Sequence, residues 1–248
     1  LGIDEVTVDE QRIEFEAPGR SLDEDFRVVV APDGSMAGYM EVFGLQAPFT
    51  PLYCWGRVHP KHEEQGVGSH LVQWAEERAR KTLSLSDPEV RVSLWAFCHT
   101  LAAQAQKLFT DHGFAPLRHS LRMVIDLDGP PPEPVWPEGI TVRTVTPGQD
   151  EFPAFVASRE AFEDHFGHVT RPLEEDYQTW SFHVMSGPDY DPGLWFLALD
   201  GDQIAGGSLC FKKTDNDPSY GWVGSLSVRR PWRKRGLGLA LLQHSIAE

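Results

Sequence analysis

The stretch that decides the fold is "VRRPWRKRGLGLALLQHS", residues 228–245. Arg229, Arg230, Arg233, Lys234 and Arg235 crowd ahead of a Gly-Leu-Gly step, in a chain with 37 Asp and Glu against 22 Lys and Arg. The residues before it, "YGWVGSLSV", read as a strand, and the residues after it read as a helix, with Leu239, Leu242 and Ile246 at i, i+3 and i+7 predicting its apolar stripe. A helix start exposes backbone N–H groups that have no intrahelical acceptor, and the aligned peptide dipoles make that end partly positive. Glycines let the turn bring those groups close to a ligand with no Cβ in the way. The stretch therefore reads as an anion cradle. The flanking Arg233, Lys234 and Arg235 add charge-assisted donors that suit a pyrophosphate or a 3′-phosphate better than a single carboxylate.

Working outward, the same features occur earlier in the chain. Val58, Gly66 and Gly68 match Val228, Gly236 and Gly238 at a constant offset of 170 residues. Two hairpin signatures match as well, "FRVVVAPDGSMAGYMEVF" and "LWFLALDGDQIAGGSLCF", each with an apolar strand, an Asp-Gly turn and a second strand opening on Ala-Gly. This is an internal duplication. In the first copy Leu71, Ala75 and Ala79 mark the helix after the glycines. "VRVSLWAF", "LAAQAQKLFTDHGF" and "LRMVIDL" follow as strand, helix and strand. The second copy opens with a strand, "ITVRTVT", and two helical stretches, "FPAFVASREAFEDHF" and "PLEEDYQTWSFHV". Pooled, the halves describe an α/β unit with a mixed sheet, occurring twice.

Between the copies, "DGPPPEPVWPEG" is too rich in proline to continue a helix or a sheet interior and reads as a linker. The expected organisation is a degenerate domain over 1–128, a linker over 129–138 and a second domain over 139–248. Neither copy is whole, so the chain reads as clipped at both ends. A net charge of −15 argues against nucleic-acid or anionic-membrane partners, both of which need a positive face. No run of eighteen apolar residues suggests a membrane span. Cys54, Cys98 and Cys210 lie apart without metal spacing, read as small buried apolar residues, and fit a reducing cytoplasm.

Three phosphate loops compete for residues 228–240. A P-loop needs a Lys and a hydroxyl after its last glycine, and neither follows Gly236. A dinucleotide fold needs a third glycine, but Leu241 stands there, and the loop follows several strands rather than the first. Arg/Gln-x-x-Gly-x-Gly/Ala after a strand ending in Val does fit, through Val228, Arg233, Gly236 and Gly238. On these residues the chain resembles the GNAT superfamily of acyl-CoA-dependent N-acyltransferases over nearly its whole length, as two copies. The tandem layout, a degenerate copy followed by an intact one, is similar to the mycothiol synthase branch. The resemblance implies that Arg233, Lys234, Arg235, Gly236, Leu237, Gly238, Leu239 and Ala240 wrap the pyrophosphate of acetyl-CoA. It implies too that the backbone of Leu226, Ser227 and Val228 pairs with the pantetheine arm as an added strand would, with the N–H of Leu226 polarising the thioester carbonyl.

The first copy has Glu63 and Glu64 where the second has Arg233 and Lys234. Each carboxylate repels a pyrophosphate by about 1 kcal/mol or more when partly desolvated. The family's tyrosine acid is replaced by Phe109, so the first copy reads as a supporting pseudo-domain. In the second copy Gly224 and Ser225 stand where many family members carry a carboxylate, so a base is sought elsewhere. "REAFEDHFGH" offers Glu163 and His165 for deprotonating an amine or binding a cationic acceptor, against a plain solvated helix end. His165 and His168 lack a third ligand, and no metal is expected. Trp180, Trp195 and Trp222 read as core. The expected activity is acetyl transfer to a small-molecule amine, with a thiol-glycoside amine of the mycothiol type as the specific option. The alternative is a non-catalytic acyl-CoA sensor. Oligomeric state is left open.

Overall fold

The computed structural model describes residues 8–213 and 219–248. The chain divides into two compact units, one of Gly19–Arg122 and the other of Met123–Glu248 together with the segment that ends at Pro18, which carries helix α1 (Val8–Phe15).

In the unit of Gly19–Arg122, the short helix α2 (Leu22–Asp25) leads into the first hairpin, which forms as read from β1 (Phe26–Val30) and β2 (Met36–Phe43), and β3 (Leu52–Val58) pairs antiparallel with β2. Helix α3 (Val67–Arg80) then crosses to β4 (Leu94–Ala96), which lies parallel to β3, and α4 (Ala103–Asp111) follows. The strand predicted over "VRVSLWAF" is thus short. Leu71 and Ala75 on α3 are fully buried against Met40, Val42 and Cys54, so the apolar stripe read for this helix is its core face. Arg78 of α3 holds the buried Asp25 at 2.6 Å.

The second unit has a fully antiparallel sheet in the order β5 (Ile140–Thr144), β6 (Trp195–Asp200), β7 (Gln203–Phe211), β8 (Trp222–Val228). Two helices, α5 (Glu151–Ala161) and α6 (Leu173–Met185), connect β5 to β6 and cover one face, where Val145, Ala154, Trp195, Leu197 and Leu209 form the core. The opposite face is covered by α7 (Leu237–Ala247), which buries Leu237 and Leu241 against Ala198, Ala205 and Trp232. Burying one leucine side chain this fully contributes roughly 2 kcal/mol.

Four sequence expectations need correction. The apolar stripe of α7 runs through Leu237, Ala240 and Leu241, while Leu239 is 61% exposed and Leu242 38%. That helix is apolar nearly all round, so several faces satisfy a 3.6-residue period, and Trp232 and β6 choose among them. "LRMVIDL" forms neither helix nor strand and pairs into no sheet among the described residues, and Met123 stands 87% exposed. Periodicity marked it as apolar and β-branched, but a strand also needs an edge to join. Trp222 is 39% exposed rather than core, whereas Trp195 is fully buried. Cys98 is exposed, while Cys54 and Cys210 are buried, and the interior pushes the Cys54 thiol up to about 12.

The proline-rich segment 128–139 forms neither helix nor strand. Its Trp136 packs edge-on against His244 of α7, with ring centres 5.7 Å apart. The duplication extends to single hydrogen bonds. His59 N–H donates to the Ala37 carbonyl and Arg229 N–H to the Ala205 carbonyl, both at 2.9 Å. No described helix is long and apolar enough to cross a membrane.

Candidate functional site

The site is built where β8 runs into α7. After Val228 the chain makes one 3-10 turn, Arg230–Trp232, anchored by Trp232, whose Nε1 donates to Asp200 at 2.8 Å. The backbone then turns left-handed twice, at Lys234 (φ 61°) and Gly236 (φ 87°), before α7 begins. A left-handed φ is strained for a side chain such as lysine and accessible to glycine. The first hydrogen bond of the new helix runs from Ala240 N–H to the Gly236 carbonyl at 3.0 Å. The N–H groups of residues 234–239 consequently have no acceptor among the described residues. Lys234, Arg235 and Gly236 are exposed around them. Successive free amides at a helix start, with two cationic side chains beside them, form an anion-binding concavity.

Strand β8 is the edge of its sheet among the described residues. Arg229 N–H bonds toward β7, and backbone groups alternate in direction along a strand. Leu226 and Val228 therefore turn their N–H groups to the open edge, which is where an extended ligand could pair. Their side chains pack under α7. The register between β7 and β8 slips by one residue at Gly224, which has no partner opposite. Such a bulge re-aims the strand beside a site.

On the α5–α6 side of the same strand lies a small recess of about 10 Å³, room for about one water molecule. Ser225 and Ser227 of β8 line it, with Ala157 and Ser158 of α5, Trp180 of α6 and Leu209 of β7. Neither Glu163 nor His165 lines it. Ser227 is 7% exposed. Thus one strand separates the cradle from the recess, with its edge facing the first and its serines facing the second.

The two charge clusters singled out in the sequence meet each other. Glu160 receives Arg229 at 2.6 Å, and Arg229 also donates to the Ile204 carbonyl at 2.9 Å. Arg230 approaches Glu163 at 3.8 Å and Asp164 at 3.6 Å. Arg233 grips Asp164 at 2.6 Å, and its hydrogen bond holds the Asp164 carboxyl down at about 2. Glu163 therefore faces a guanidinium rather than the recess. His165 turns its ring onto Phe162, with centres 5.3 Å apart. Sequence reasoning missed the recess because its serines carry no motif. It missed the ion pairs because Arg233 and Asp164 are 69 residues apart. Among the described residues no group of three or more His, Cys, Asp and Glu side chains could hold a metal ion.

The first copy repeats the backbone of the cradle but not its charge. Glu64 (φ 58°) and Gly66 (φ 84°) reproduce the left-handed pair ahead of α3. Glu63 and Glu64 stand where Arg233 and Lys234 stand in the second copy.

Comparison with known proteins agrees with this geometry. Residues 156–248 match the model of the acetyltransferase (GNAT) family, and residues 24–116 match an acetyltransferase (GNAT) domain. A mycothiol acetyltransferase of Streptomyces bingchenggensis is 33% identical over 221 residues, 85% of this chain and 63% of that protein. One from Streptomyces scabiei is 31% identical over 211 residues, 82% of this chain and 61% of that protein. The chain thus spans less than two thirds of the length of these relatives. Among solved structures, a GCN5-related N-acetyltransferase from Sphaerobacter thermophilus superposes with a TM-score of 0.72 at 35% identity, covering 97% of this chain and 72% of that one.

Proposed function

From the premise that this chain belongs to the GNAT acetyltransferase family, with two such domains in tandem, we propose that its second domain transfers the acetyl group of acetyl-CoA to the amine of a small molecule. The observation that carries this reading is the run of free amides at residues 234–239, flanked by Lys234 and Arg235, at the end of an edge strand. The diphosphate of the acyl donor suits those amides, as an anion at a helix start does. The pantetheine arm extends along the open edge of β8, where Leu226 and Val228 offer their N–H groups. That places the thioester toward the bulge at Gly224, with the Leu226 N–H as the donor for the oxyanion that develops on the carbonyl. Ser227 adds its backbone to the strand and its hydroxyl to the recess, which borders the place proposed for the thioester.

The attacking amine must be neutral; its nitrogen bonds to the carbonyl carbon as the C–S bond breaks, so the amine's proton must leave and the departing CoA thiolate must gain one, becoming free thiol. Glu163 and His165 lie outside the recess, and Glu163 stands 3.8 Å from Arg230. The recess residues themselves carry no carboxylate or imidazole. Proton removal is therefore assigned to water reaching the recess rather than to a side chain that lines it. The acceptor is proposed to be an amine of the mycothiol type, on the strength of the relatives that bear that name. In the first domain the paired carboxylates Glu63 and Glu64 oppose a diphosphate, and that domain is assigned a supporting role.

The absence of a titratable group from the recess lining also favours a second reading, a domain that binds acyl-CoA without turning it over. Release of free thiol from acetyl-CoA, followed across a panel of primary amines, separates the two. Amine-dependent release supports the transferase. Micromolar CoA binding without release from any amine supports the sensor.

A further inference from the structure

We propose that Arg233 is a positioning residue: its guanidinium fastens the C-terminal end of α5, a wall of the serine recess, to the start of the cradle, and does not itself hold the diphosphate. The inference deepens the acyl-CoA reading given above and rests on it. A guanidinium offers a planar fork of N–H donors, and here the fork is directed at the end of α5 and the residues just after it. Nη1 donates to Asp164 Oδ2 at 2.6 Å, and Nη2 donates to Asp164 Oδ1 at 3.2 Å and to the carbonyl of Ala161. Nε donates to the carbonyl of Val228 at 3.0 Å. The carboxylate pairing is bidentate, the geometry in which arginine binds most firmly. Ala161 is the last residue of α5, so the cation also sits against the negative end of that helix dipole.

The neighbouring charges act the same way. Arg229 ties Glu160, the next-to-last residue of α5, and Arg230 lies between Glu163 and Asp164. Ala157 and Ser158, one turn before these ties, line the recess. The position of that wall is thus set by the residues that lead into the cradle.

The duplication supplies the contrast. The left-handed turn forms in the first copy with Glu63 at the position of Arg233, so the turn itself does not require the arginine. Glu63 makes no comparable tie among the described residues. An arginine is found where a helix end and a carboxylate stand ready to receive it.

The variant Asp164→Asn separates the two roles, because they call for opposite signs. If Arg233 were a diphosphate ligand, removing its carboxylate would free a full cation for the ligand and tighten CoA binding. As a latch, Arg233 released from Asp164 lets the end of α5 loosen and brings no tighter binding. The experiment is titration calorimetry of CoA into the wild type, Asp164→Asn, Arg233→Gln and Arg233→Lys, with amide hydrogen exchange of residues 162–168 in the ligand-free proteins. The expected result is CoA affinity within about threefold of wild type for Asp164→Asn and Arg233→Gln. Exchange should be about tenfold faster in both, and the double variant should be no faster than either single one. Arg233→Lys keeps the charge but loses the fork, and should exchange like Arg233→Gln. It carries the test should the glutamine variant fail to fold.

With acetyl-CoA saturating and an amine found active in the panel, the KM for that amine should rise about fivefold in Asp164→Asn while the KM for acetyl-CoA holds. CoA binding about tenfold tighter in Asp164→Asn, or unchanged exchange at 162–168 in all variants, overturns the latch. A wild type that takes up no CoA overturns the acyl-CoA reading instead, and the exchange comparison still decides whether the tie exists.

Discussion

Gly66 and Gly236 allow a prediction with its control inside the same molecule. Both start a helix from the left-handed region, at φ 84° and 87°, and around both a Cβ built on the backbone would meet nothing within 4 Å. Alanine at either position therefore incurs the same penalty, the strain of a Cβ at positive φ, which is about 1 kcal/mol. For a chain of this size that lowers the melting temperature by about 3 °C. Ligand binding should break the symmetry. Gly236 lies within the run of free amides of residues 234–239, so on the proposed reading an added methyl group there holds a phosphate oxygen away from its donors. Loss of one such contact weakens CoA about tenfold, or about 1.4 kcal/mol. In front of Gly66 the same methyl group meets a cradle edged by Glu63 and Glu64, where no phosphate is expected. Scanning calorimetry of the two variants, followed by isothermal titration with CoA, checks both halves. Equal melting shifts with weakened binding in Gly236→Ala alone is the expected outcome. Weakened binding in Gly66→Ala alone would place the ligand in the first copy and refute the reasoning.

Further outcomes follow from packing and charge. Leu241→Ala, at a fully buried position of α7, should destabilise the second unit by about 3 kcal/mol. Leu239→Ala, 61% exposed, should stay within about 0.5 kcal/mol of wild type in urea denaturation. Asp150 is held at about 2, first by its hydrogen bond from Arg143 and further by the Thr146 N–H. Its folded value lies below that of the unfolded chain, so its stabilisation is present above the ordinary carboxylate range and is lost as pH falls toward 2. The melting-temperature gap between wild type and Asp150→Asn should then be constant from about pH 7 to 5 and close between about pH 4 and 2. A gap that widens toward low pH would contradict that assignment.

What the sequence made legible was what local chemistry fixes. The Asp-Gly turns, the Ala-Gly strand openings and the glycine pairs gave both hairpins and both helix starts, because each depends on backbone requirements of a few consecutive residues. In β7, Gly206 could be read only as part of a repeat. The structure adds its reason, since a Cβ there would lie 2.5 Å from the Ser227 carbonyl oxygen. The burial of α7 was not legible, because a helix with Leu237, Leu239, Leu241 and Leu242 has no single apolar face until Trp232 and the sheet select one. Nor was the fate of "LRMVIDL", since pairing depends on a free edge elsewhere. The acidic stretch around Glu163 and the basic run around Arg233 each stand out in the sequence and each suggest a ligand of their own. Their opposite charges are visible, but only the fold brings Asp164, just after α5, within 2.6 Å of Arg233 in the β8–α7 turn. For the same reason the recess, lined by residues of α5, α6, β6, β7 and β8, leaves no trace in spacing.

The central claim is that the amides at the start of α7 hold the diphosphate of an acyl-CoA. A crystal of this chain grown with acetyl-CoA tests it most directly. The account expects diphosphate density within hydrogen-bond distance of the N–H groups of residues 234–239, with the pantetheine chain along Leu226 and Val228. Density for the diphosphate ahead of Gly66 instead, or a cradle at Gly236 filled only by solvent at saturating acetyl-CoA, would contradict it.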